Sequence, residues 1–139
     1  MKIIIILVAL AILALALFWK PPQPTVRSEP VYKTQEQKGG NITIAVTPKI
    51  LTPASQPAFD IVFDTHSVDL SFDVANASTL TDITKKTYGS AMWEGDPPSG
   101  HHRKGTLTFS RILREGAGPV TLTFKDIAGV PSWEFYFDI

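Results

Sequence analysis

Six runs of this chain place an apolar residue at every second position, and that period constrains the fold more than any other feature. Ile42, Ile44 and Val46 alternate with Thr43, Ala45 and Thr47. Phe59, Ile61 and Phe63 alternate with Asp60, Val62 and Asp64, and Val68, Leu70, Phe72 and Val74 with Asp69, Ser71 and Asp73. The period returns over Leu107–Phe109, Val120–Phe124 and Trp133–Phe137, and more weakly over Lys86–Trp93. Successive side chains of an extended strand point to opposite faces, so each run predicts a strand with one face in a core. The phase puts Ile44, Ile61, Leu70, Leu107, Leu122 and Phe135 inside.

Turn residues punctuate the runs: Pro48 and Pro53, Gly95 to Gly100, Gly116-Ala117-Gly118-Pro119 and Gly129-Val130-Pro131. About seven short strands in roughly a hundred residues predict an all-β, immunoglobulin-like antiparallel β-sandwich over 41–139. A cupredoxin-like or other Greek-key sandwich is the alternative. The apolar last run predicts a strand paired within the sandwich, since an open edge of that kind invites aggregation.

Before the strands the character changes. Ile3–Trp19 is unbroken apolar sequence between Lys2 and Lys20. As a helix it would be roughly 25 Å long, close to the thickness of a bilayer core. Residues 1–20 therefore read as a single-pass transmembrane helix, a signal-anchor, with Trp19 at the interface. Ala14-Leu15-Ala16 also fits the small-x-small pattern of a cleaved export signal, but cleavage there would leave Leu17-Phe18-Trp19 at the new terminus. The flanking lysines do not fix orientation. The short basic start before an apolar run favours an extracytoplasmic β domain. Residues 21–40 read as a Pro-rich linker, with Pro21, Pro22, Pro24 and Pro30 favouring extended backbone and Gly39-Gly40 a flexible joint.

The formal net charge is +0, which gives no electrostatic case for nucleic acid. The absence of cysteine excludes disulfides, thiolate metal sites and lipoprotein processing. No nucleophile elbow or glycine-rich phosphate loop occurs, so the residues carry no enzyme signature. All three histidines fall in two segments, Asp64–Leu70 and Trp93–Arg103. His66, Asp69, Trp93 and Arg103 are candidate binding residues, with Trp93 the exposed aromatic and Arg103 a partner for Asp64 or Asp69. His66, His101, His102 and Asp64 are candidate ligands of copper or zinc, provided that Gly100 keeps the adjacent histidines in a loop. The competing reading is structural, with polar side chains pinning loops. Either one requires both segments at the same end of the sandwich.

The phrases Asp64-Thr65-His66-Ser67-Val68-Asp69-Leu70 and Trp93–Phe109 resemble those of uncharacterised bacterial and archaeal β-sandwich domains tethered by a similar N-terminal helix. The resemblance implies a fold and a membrane location, and no reaction. Together these readings lead to a non-enzymatic interaction or structural module of the cell envelope, held at a membrane and meeting an envelope protein. The alternative is a copper- or zinc-binding envelope protein.

Overall fold

The computed structural model describes residues 32–139. The apolar run 3–19 and the proline-rich start of the linker lie outside the described residues. Among the described residues, no helix is long and apolar enough to cross a membrane.

Eight strands are found there: β1 (Gln35–Gly39), β2 (Ile42–Ile50), β3 (Ala58–Thr65), β4 (Ser78–Asp82), β5 (Ala91–Gly95), β6 (His102–Phe109), β7 (Val120–Ile127) and β8 (Val130–Phe137). One four-residue helix, α1 (Val74–Ala77), precedes β4. The strands form two sheets, β1-β2-β3-β6-β5 and β4-β7-β8, with every pairing antiparallel. Both sheets contribute to one core, an arrangement compatible with a β-sandwich. Phe63 meets Phe124 edge-on across it at 5.7 Å, and Phe59 meets Phe137 at 5.4 Å. All six residues placed inside by phase are buried.

Three segments depart from the sequence reading. The linker does not extend to Gly40, because Gln35–Gly39 pairs with β2 from Gln35↔Val46 to Gly39↔Ile42. Gly40 and Asn41 form the two-residue turn between them, both with positive φ (50° and 63°), as a type I′ turn requires. Gly39-Gly40 is thus an ordered hairpin end. A Cβ on Gly40 would sit 2.1 Å from the Ala128 carbonyl oxygen, in the turn joining β7 to β8.

The second departure is Val68–Val74, which is not a strand. Leu70 and Val74 are buried as its phase requires, but the Leu70 and Phe72 carbonyls accept hydrogen bonds from the Arg103 guanidinium. Asp73 accepts the Asn76 N–H (3.0 Å) and caps α1. Local side-chain partners take the place of a ladder. The third is the weak run Lys86–Trp93, where the strand covers Ala91–Gly95. Thr87 makes only an isolated bridge to Thr81.

The register defines two poles. The pairing of β6 with β3 runs from His102, opposite Asp64, to Thr108, opposite Ala58. The turn at Gly40-Asn41 and the ends of β3 and the β5–β6 loop share the first pole. At the other, Phe109 N–H bonds the Pro57 carbonyl and Leu113 N–H the Ser55 carbonyl. Tyr32 also lies there, its hydroxyl donating to the Leu51 carbonyl (3.0 Å).

Candidate functional site

At the first pole the two histidine-bearing segments meet. Thr65 N–H donates to the His101 carbonyl (2.9 Å), Leu70 N–H to the Gly100 carbonyl (3.0 Å), and Gly100 N–H to Asp69 Oδ1 (2.9 Å). Thr65 Oγ1 accepts from the N–H groups of Ser67 and Val68, closing the turn after β3. The convergence expected of these segments is therefore present, and it is made largely of backbone.

Arg103 is the centre of this pole and is 2% exposed. It makes no ion pair with Asp64 or Asp69, contrary to the sequence expectation. β6 alternates, and Arg103 shares the inward face with Leu107 and Phe109, whereas Asp64 faces outward. Arg103 Nη1 donates to the carbonyls of Leu70 (2.9 Å) and Phe72 (2.8 Å), and Nη2 to that of Asp96 (3.4 Å). The guanidinium carbon lies 5.4 Å from the Phe72 ring centre and 5.7 Å from that of Trp93, cation–π distances. Burial lowers the Arg103 pKa, against the pull of the Asp96 and Asp73 carboxylates.

Trp93 is likewise not an exposed platform. It is half-buried, donates from Nε1 to the Asp96 carbonyl (3.0 Å) and leans toward Phe63 at 6.3 Å. Its ring passes over Gly95 and Gly105, which face each other across β5 and β6. A Cβ on Gly105 would meet the Trp93 ring at 2.7 Å and the Glu94 carbonyl at 2.6 Å. Asp96, in turn, accepts the Lys104 N–H (2.9 Å).

The histidines remain at the surface. His102 opens β6 instead of lying in the loop, and its Nδ1 donates to Asp64 Oδ1 at 2.6 Å. The His66 and His102 rings are 6.5 Å apart, edge to face. His101 is exposed and joins the cluster through its carbonyl. Among the described residues no group of three His, Cys, Asp or Glu side chains converges as metal ligands, so the proposed copper or zinc set of His66, His101, His102 and Asp64 is not assembled. Beside them lies an open groove of about 490 Å³, lined by Lys38, Gly40, Asn41, Thr43, Asp64 and His66.

A second polar cluster, at the opposite pole, had no counterpart in the sequence reading. Asp82 is buried at the end of β4. Its Oδ1 accepts from Thr84 N–H (2.8 Å), Thr84 Oγ1 (2.6 Å) and Lys86 N–H (3.2 Å), and its Oδ2 from Tyr88 Oη (3.1 Å) and Arg114 Nε (3.0 Å). Burial alone would raise the Asp82 pKa, but these donors outweigh it and hold the carboxyl well below the usual range. The Tyr88 hydroxyl is pushed up by burial and by its bond to Asp82. The Asp82-Ile83-Thr84 spacing was a usable signal for an Asx turn. Nothing local in the sequence pointed to Arg114.

No family model, curated protein or solved structure gives a significant match to this chain.

Proposed function

We propose that this chain is a non-enzymatic interaction or structural module of the cell envelope. In this reading an immunoglobulin-like sandwich is held outside the cytoplasm by the apolar run Ile3–Trp19 and presents its histidine pole to an envelope protein. The observation that carries it is the use of polar groups at that pole. Arg103 is spent on carbonyls, Asp69 on the Gly100 N–H and Asp96 on the Lys104 N–H. What remains outward is a braced surface with His66, His101, the His102–Asp64 pair and the neighbouring groove. Strand order supports the immunoglobulin-like assignment: β2-β3-β6-β5 facing β4-β7-β8 matches the A-B-E-D and C-F-G sheets of that fold, with β1 added before the first. The apolar run and the resemblance to tethered domains support the location.

A photo-crosslinking residue in place of His66, in native membranes, tests the display surface. A discrete protein adduct, absent when the same residue replaces Thr121 on the other sheet, is expected. Equal labelling from both positions would remove the case for a specific surface. Carbonate extraction of the full chain, with protease added outside intact spheroplasts, tests the location. Release into the soluble fraction, or protection of the β domain from protease, would overturn it.

A further inference from the structure

The pole opposite the histidines combines cationic and apolar side chains. Lys86, Arg111 and Arg114 line a groove of about 400 Å³ together with Ile112, which is 61% exposed. Ile83, 64% exposed, is near Gly118 on the same pole, and Ile50 ends β2 there. Exposed Lys33 and Lys85 add to the positive charge. Among the acidic side chains, Asp82 is buried against Arg114, leaving Glu115 and Asp138 exposed in these segments. Exposed isoleucines scattered among lysines and arginines make a poor protein-sized apolar patch. They suit a boundary that offers phosphates and acyl chains together.

We propose that this pole docks on an anionic lipid surface, with Lys86 and Arg111 on headgroup phosphates and Ile83 and Ile112 at the acyl boundary. The proposal rests on the reading of Ile3–Trp19 as a membrane anchor. The argument for lipid over an acidic protein is the covalent path. Tyr32 belongs to this pole, and Lys20–Val31, twelve residues, can span at most about 40 Å. A surface kept that close acts at high effective concentration, so weak attraction is enough. Each basic side chain near an anionic leaflet adds about a fivefold factor.

The chain has no cysteine, so single labels can be placed cleanly. Ile112→Cys and, as the far-pole control, His66→Cys carry an environment-sensitive fluorophore in the full-length protein, reconstituted into nanodiscs. In discs with roughly one-third phosphatidylglycerol the label at 112 should shift to the blue relative to phosphatidylcholine discs, while the label at 66 should not. High salt, or Lys86→Glu with Arg111→Glu, should reverse the shift. Identical spectra at 112 in both lipids would overturn the proposal, as would a shift at 66 alone. A shift at 112 produced by polyglutamate in neutral discs, with none from anionic lipid, would assign the pole to an acidic protein instead. Failure of the anchor is seen separately, as a chain that does not incorporate into neutral discs. Co-flotation of that same chain with anionic but not neutral vesicles then decides the docking question.

Discussion

Arg103 exchanges full hydration for three carbonyls and two aromatic faces, and its Nε makes no hydrogen bond. A buried cation tolerates this because carbonyl dipoles and ring faces both present negative potential. Its removal should therefore disconnect Leu70 and Phe72 from β6. Arg103→Met keeps much of the volume but leaves those carbonyls without donors. It should lower unfolding free energy by about 2–5 kcal/mol in urea titrations, at about 1–3 kcal/mol per orphaned group. A loss below about 1 kcal/mol would mean that the loops hold without it. Asp82 makes a pH prediction of definite sign. Its carboxyl has a lower pKa folded than unfolded, so its contribution is present above its ordinary carboxylate pKa of 3.8 and is lost as pH falls below that value. Thermal melts between neutral pH and about pH 2 should show an acid-side decline that Asp82→Asn makes shallower. An unchanged acid limb in the variant would contradict this.

At the scale of elements, β1 and β8 solve one problem together. β8 pairs only with β7, which leaves an edge carrying apolar residues. Gln37 Nε2 donates to the Glu134 carbonyl (2.6 Å) and Gln35 Nε2 to that of Tyr136, so β1 covers the edge with side chains. This explains why Gln35–Gly39 was illegible as a strand: its inward positions hold glutamine and glycine where the period-two signal expects apolar residues. β4 was missed for a similar reason, since Leu80 is its one large apolar side chain and Asp82 the other buried residue. The five strands β2, β3, β6, β7 and β8 were legible because their inner faces pack against the opposite sheet, which selects apolar residues at every second place. The meeting of the histidine segments was legible from their positions at strand ends. Arg103 was expected to pair with Asp64 or Asp69, although its place two and four residues before Gly105 and Leu107 put it in the inward phase. Two substitutions test this level. Phe135→Ala should destabilise by about 3–5 kcal/mol. Gly40→Ala, at a positive φ and against the Ala128 carbonyl, should destabilise by about 1–3 kcal/mol, and a neutral result would show that the two turns do not touch.

For the whole molecule, the chain enters at one pole and the candidate display surface lies at the other. In the proposed role the domain carries its polar chemistry as bracing, and its two ends would face different surroundings. If the run Ile3–Trp19 anchors the chain as proposed, loss of the histidine pole should leave membrane association intact. His66→Ala with His102→Ala should fractionate with membranes as the unaltered chain does, while the crosslink from that pole weakens. Release of the double variant from membranes would show that the poles do not work independently.

The placement of β1 also sets how the domain bears a load. Tension between the tether at Tyr32 and a partner on the far pole would run along β1, parallel to the strand and across its hydrogen bonds to β2. All five residue pairs from Gln35↔Val46 to Gly39↔Ile42 would then resist together, in shear. Pulling from Tyr32 against a point on its own pole would instead open those pairs one at a time. Force spectroscopy with the two attachment geometries should therefore give a higher rupture force for the pole-to-pole pull, and Gln35→Ala with Gln37→Ala should lower it by removing the two bonds to β8.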